Sequence, residues 1–117
     1  MGFIDIEGQF AFEPVPGVRM RTPYGEKLML SLVEICDGAE VPLHSHPHEQ
    51  AGILISGKMD LTIGDETRRL EPGAMYIIPG NTLHRAVAID GPVVAMDVFN
   101  PIREDYARRQ PVQVEDS

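Results

Sequence analysis

The chain carries GAEVPLHSHPHEQAGILISG between Gly38 and Gly57, with His44, His46 and His48 inside five residues. Residues two apart on a strand point to the same face, so this spacing lets His44 and His46 converge on one point. Neutral imidazole ligates zinc, copper, iron and nickel, and manganese accepts it too. Gln50 stands four residues past His46, near enough to offer an oxygen from the next strand. A surface loop with chance histidines would explain His-x-His alone. The flanking glycines and a second block, GAMYIIPGNTLHRAVA from Gly73 to Ala88, argue for more than chance. That block carries the fourth histidine, His84, just after a Pro-Gly turn, where folding could set it opposite the His44–His46 pair.

The two blocks together resemble the cupin superfamily. Its first motif runs glycine, five residues, His-x-His, three or four residues, glutamate, six residues, glycine. Its second runs glycine, five residues, proline, one residue, glycine, two residues, histidine, three residues, asparagine. The resemblance implies a single-domain all-β barrel, the double-stranded β-helix or jelly roll. It also implies one divalent metal ion (nickel, zinc, manganese or iron) held by His44, His46, His84 and the residue at position 50. Three positions depart from the pattern: Gln50 replaces glutamate, Asn81 glycine and Ala88 asparagine. A neutral amide in place of a carboxylate leaves the full charge on the ion, which suits an anionic substrate. Amides are weaker ligands, so Gln50 is expected to bind either metal or substrate. By parity Glu49 faces away from it, and His48 is read as a rim residue or a support for the ligands.

Strand and turn signals fill the rest. Strands are expected at 27–36, with Leu28, Leu30 and Leu32 on one face, at 51–56, which Gly57 ends, and at 58–63. Others are expected at 67–70, 74–78, 83–89 and 92–99, with turns at Asp37-Gly38, Gly64-Asp65, Pro72-Gly73, Pro79-Gly80 and Asp90-Gly91. Turns at about 8–12 residue spacing mark an antiparallel sandwich or barrel. The barrel core is expected at about 25–100. Phe3, Ile4, Ile6, Phe10 and Phe12 suggest an extra edge strand within 1–24, suited to pairing with a second subunit in a homodimer. Residues 103–110 read as a short helix that Pro111 ends, within a C-terminal tail at 101–117.

The last strand ends in DVFNPIRED, Asp97 to Asp105. Parity groups Asp97 with Val93, Ala95 and Phe99. Asp97 could cap a turn or pair with an arginine outside the barrel. Facing the cavity, it would be a general acid/base candidate. Arg103 is either a surface charge beside Glu104 and Asp105 or an anion clamp over the barrel mouth. This block, with Gln50 in HPHEQ, resembles the KdgF group of small cupins, apart from Asn100 where a serine is expected. That resemblance implies linearisation of 4,5-unsaturated monouronates from pectin or alginate breakdown into keto-deoxyuronates. It implies catalytic Asp97 and Arg103, a sugar-facing Phe99, and a small anionic sugar as the partner.

Composition excludes other classes. The 117 residues carry a net charge of −8 and no Lys/Arg run, which argues against nucleic acid and anionic membranes. No apolar run approaches the roughly 20 residues of a membrane span. One cysteine allows no internal disulfide, and the first residues lack a signal-peptide pattern, so a cytoplasmic protein is expected. Cys36 reads as a small core residue, Tyr76 as core packing or as reaching a ligand, and Met75 and Met96 as lying near the cavity. Arg85 is expected to face away from His84, with Arg68 and Arg69 on a solvated edge. Two other functions fit the histidines: a metal-dependent cupin dioxygenase and a non-catalytic sugar or small-ligand binding cupin. A binder needs the arginine but not the aspartate.

Overall fold

A computed structural model describes residues 2–109. Eight strands follow in order: β1 (Ala11–Val15), β2 (Val18–Arg21), β3 (Met29–Ile35), β4 (Glu40–His44), β5 (Glu49–Ile63), β6 (Glu66–Leu70), β7 (Met75–Ile78) and β8 (His84–Asn100). One helical turn, α1 (Glu104–Ala107), closes the described chain.

Two long strands organise the barrel. Residues 93–100 of β8 lie between β3 and the first half of β5, which β7 also joins. Residues 84–89 of β8 lie between β4 and the second half of β5, which β6 joins. All these pairings are antiparallel. Each long strand is thus shared by two half-sheets that enclose one apolar core, including Met29, Val33, Leu54, Met59 and Val93. This is the expected jelly-roll barrel.

The breaks read at Gly57 and at Asp90-Gly91 are bends within strands, not ends. Gly57 (φ 87°) and Gly91 (φ 130°) adopt left-handed backbone, and a Cβ on Gly57 would overlap the Pro92 carbonyl. Paired strands on both sides carry the ladder across the bend. The N-terminal segment forms a β1–β2 hairpin rather than a single strand, with β1 at the sheet edge. The helix covers only Glu104–Ala107, and the reading at Gln110 and Pro111 lies outside the described residues. Cys36 is exposed rather than in the core, because β3 ends one residue before it. No helix among the described residues is long and apolar enough to cross a membrane.

On β3 the inward set is Met29, Ser31, Val33 and Ile35, while Leu30, like Leu28 just before the strand, faces outward. Both faces of this strand are rich in apolar residues, so alternation alone cannot choose between them. The outer face continues across four strands in two rows, Leu30–Val98–Ala51–Ile77 and Leu32–Met96–Ile53–Met75. Neither row contains a charge. Met75 and Met96 belong to this outer face and not to the cavity, which Met20 and Met59 line instead.

Candidate metal centre and active site

The strands bring the predicted ligands to one end of the barrel. His44 is the last residue of β4 and pairs in register with His84, the first of β8. His46 lies past the end of β4, so the turn, not strand parity, aims it. Asn81 fixes that turn. Its φ is 63°, a conformation open to asparagine as well as to the glycine of the motif, and its N–H donates to the His46 carbonyl at 2.7 Å. The ring centroids of His44 and His84 are 4.1 Å apart, those of His46 and His84 4.8 Å. Gln50 faces inward and is buried, while Glu49 is exposed.

Hydrogen bonding fixes the proton on each ring. Nδ1 of His44, His46 and His84 sits 2.7, 3.1 and 2.8 Å from the carbonyl oxygens of Pro42, His48 and Thr82. A carbonyl has no proton to give, so each neutral ring carries its hydrogen on Nδ1 and turns a lone pair outward on Nε2. Nε2 of His84 is buried without a hydrogen-bond partner. Gln50 Nε2 donates to Asp97 Oδ2 at 2.8 Å, which turns Gln50 Oε1 to face His46 Nε2 at 3.1 Å. Two acceptors that face each other, beside an orphaned third, need an electropositive partner. His44, His46 and His84 form a group that could hold a metal ion, with ligand atoms within 4.8 Å of one another. His48 contributes its carbonyl to His46, and its ring stands 5.4 Å from the His46 ring.

Burial pushes the His46 pKa from 6.5 down to about 4, helped by Arg103 and the neighbouring histidines, and burial lowers His84 as well. Lowered histidine values mean that the folded, metal-free chain resists protons which the unfolded chain accepts. Stability from His46 is present above about pH 6.5 and is lost as pH falls toward about 4, and His84 acts in the same direction. Asp97 acts oppositely. Burial raises its pKa from 3.8 to about 6, against the hydrogen bonds of Tyr76 and Gln50. Its contribution is therefore lost as pH rises through about 6. Two histidines outweigh one carboxyl. The urea midpoint of metal-stripped protein is expected to fall between about pH 7 and about pH 5, and to fall further in Asp97→Asn, which lacks the compensation.

One pleat deeper, a row crosses four strands: Ser31 on β3, Asp97 on β8, Gly52 on β5 and Tyr76 on β7. Asp97 faces inward beside Phe99, Ala95 and Val93, and all four are buried. The outer-face alternative for Asp97 does not hold. Tyr76 OH donates to Asp97 Oδ1 at 2.6 Å. Burial raises the Tyr76 pKa, and the Asp97 charge adds to this, so the phenol keeps its proton. Gly52 makes the contact possible, since a Cβ there would overlap Asp97 Oδ1 and come within 2.5 Å of the Tyr76 ring.

Arg103 is buried in the cavity wall, at 8 % exposure, and is not a free surface charge. Its guanidinium carbon lies 3.9 Å from the Tyr106 ring centroid and 5.3 Å from that of Phe99. Nε and Nη2 donate to Asp105 at 3.3 and 2.8 Å; Nη1 is not part of that pair. One cavity therefore gathers His44, His84, Gln50, Asp97, Phe99 and Arg103. Arg85 instead pairs with Glu40, and Arg68 and Arg69 pair with Glu66 and Asp60 on β6 and β5. Sequence reasoning missed Gly52 and Ser31, and it named Tyr76 without its bond to Asp97. A glycine inside an apolar strand does signal close approach by another group, and Gly52 carried that signal.

Barrel, histidine triplet and cavity define a cupin, and residues 31–99 match the Cupin domain family. The chain belongs to that family. It is 30% identical over 84 residues to the pectin degradation protein KdgF of Dickeya dadantii (strain 3937), covering 71% of this chain and 76% of that one. The structure of KdgF from Halomonas sp. superposes with a TM-score of 0.83 at 29% identity, covering 91% of this chain and 98% of that one. A shorter match, 37% identical over 57 residues, is to the H2HPP isomerase of Bacillus subtilis, covering 47% of this chain and 24% of that protein. The chain is thus a KdgF-like cupin.

Proposed function

We propose that the protein opens the ring of 4,5-unsaturated monouronates and ketonises the product, giving linear keto-deoxyuronates at a single divalent metal ion. The observation that carries the reading is the hydrogen bond from Gln50 to Asp97, which joins the histidine cluster to a buried carboxylate in the same cavity. The similarity to KdgF, a pectin degradation protein, supports the substrate class.

The chemistry needs one proton removed and one returned. Loss of the anomeric hydroxyl proton makes C1 an aldehyde as the C1–ring oxygen bond breaks. The electron pair becomes the enolate of C5, and a proton added at C4 gives the ketone. No electron enters or leaves overall. Asp97, ionised above about pH 6, accepts the hydroxyl proton and supplies the one for C4. Tyr76 and Gln50 fix its two oxygens. Arg103 holds the substrate carboxylate, and Phe99 packs against the apolar face of the sugar. Bound at His44, His46, His84 and Gln50, a divalent ion (nickel, zinc, manganese or iron) supplies Lewis acidity toward a substrate oxygen.

The test compares His84→Ala with wild type. The variant is expected to lose bound metal, measured by elemental analysis after dialysis, together with uronate turnover. Full turnover without metal would sink the reading. Oxygen uptake coupled to turnover would favour the dioxygenase alternative.

The uncharged outer rows led by Ile77 and Met75 support a homodimer, since they expose a contiguous apolar patch on a chain of net charge −8. Sedimentation of wild type is expected to give a dimer, and Ile77→Glu a monomer. A monomeric wild type would refute this assignment.

A further inference from the structure

The row that carries Asp97 holds one polar group without a task. Tyr76 donates to Asp97, and Gly52 makes room for both. Ser31, paired in register with Asp97 on β3, is fully buried and lines the cavity. Its Oγ has no hydrogen-bond partner among the described residues. A buried hydroxyl left unpaired is destabilising, and the next inward residues, Val33, Ile35 and Ala95, are apolar. An alanine here would avoid that cost. The hydroxyl is therefore explained by something that enters the cavity.

We propose that Ser31 is a substrate-binding residue whose Oγ hydrogen-bonds the 2-hydroxyl of the uronate ring. This rests on the uronate reading of the site. A serine hydroxyl is neutral and both donates and accepts, so it matches a sugar hydroxyl and not the carboxylate, which Arg103 takes. Arg103 follows the end of β8, whereas Ser31 lies level with Asp97, three residues inside that end and two beyond Phe99. A ring held by its C5 carboxylate at Arg103 points its opposite atom, C2, inward. Its neighbour C1 carries the hydroxyl that Asp97 deprotonates. One orientation of the sugar thus serves Arg103, Asp97 and Ser31 together. Ser31 thereby reads the configuration at C2.

The experiment measures kcat/KM for an unsaturated galacturonate and its C2 epimer in metal-loaded wild type, Ser31→Ala and Ser31→Cys. Thermal midpoints and metal content are recorded for each. Ser31→Ala is expected to keep its metal and to melt no lower than wild type, because an unpaired hydroxyl has been removed. Its kcat/KM is expected to fall about threefold to tenfold, mostly through KM, and by different factors on the two epimers. Ser31→Cys, which keeps the side-chain shape at a slightly larger size but donates weakly, is expected to show the same loss on the same epimer. Unchanged kcat/KM, equal loss on both epimers, or a lowered midpoint with unchanged epimer preference would overturn the assignment of Ser31 alone. Wild type inactive on both epimers would overturn the uronate reading and this assignment with it.

Discussion

Asp97→Asn is expected to slow uronate ring opening by about 10²–10⁴-fold, the usual loss when a positioned acid/base is removed. The substitution keeps the size of the side chain and removes its basicity. It has a second consequence, particular to this site. The Asp97 carboxylate accepts from Tyr76 on one oxygen and from Gln50 on the other. An asparagine that keeps the Tyr76 bond presents an amide N–H₂ to Gln50, donor against donor. Gln50 then turns over and offers Nε2, not Oε1, to His46. Asp97→Ala imposes no such turn. Both variants are expected to lose turnover, but Asp97→Asn is expected to bind the metal more weakly than Asp97→Ala. Rates by absorbance and metal retention after dialysis measure the two effects separately. A rate within about tenfold of wild type would exclude Asp97 from the chemistry.

Gly52→Ala is the other large expected effect. Alanine in a strand is normally better than glycine by roughly 0.5–1 kcal/mol, since it restricts the unfolded chain. Here its methyl group falls on Asp97 Oδ1 and against the Tyr76 ring, and both side chains must move. Overpacking of this kind costs about 1–3 kcal/mol, so the sign of the stability change reverses. Activity is expected to fall about 10²-fold or more, because the displaced groups are the acid/base and its partner. The three histidines are untouched, so metal content is expected to hold. A Gly52→Ala protein as stable and as active as wild type would contradict the close approach described for Asp97 and Tyr76.

Residues whose placement depends on chain spacing were legible from sequence. His44, His46 and His84 stand in two motif blocks, and strand parity put Asp97 and Phe99 on one face. What failed depends on neighbours distant in sequence. Gly57 and Gly91 look like strand ends, and only ladders continuing on both sides turn them into bends. No strand was read at β4, where Pro42 and the histidines resemble a loop. The choice between the Leu30 and Ser31 faces of β3 is fixed by which side packs on Met59, Leu61 and Ala88 of the opposite half-sheet in the barrel core. Tyr76 stands in an apolar run, MYII, which offers no alternation to show that Tyr76 and Ile78 point inward. Arg103 sits among charges in sequence, yet the Tyr106 and Phe99 rings bury it.

Ring opening at this site is tested most directly by the ultraviolet absorbance of the C4–C5 double bond of an unsaturated galacturonate or guluronate, followed with metal-loaded protein and with buffer alone. The expected result is a loss of absorbance accelerated well beyond the buffer rate and suppressed in Asp97→Asn. Absorbance that decays at the buffer rate with fully metal-loaded wild type would contradict it.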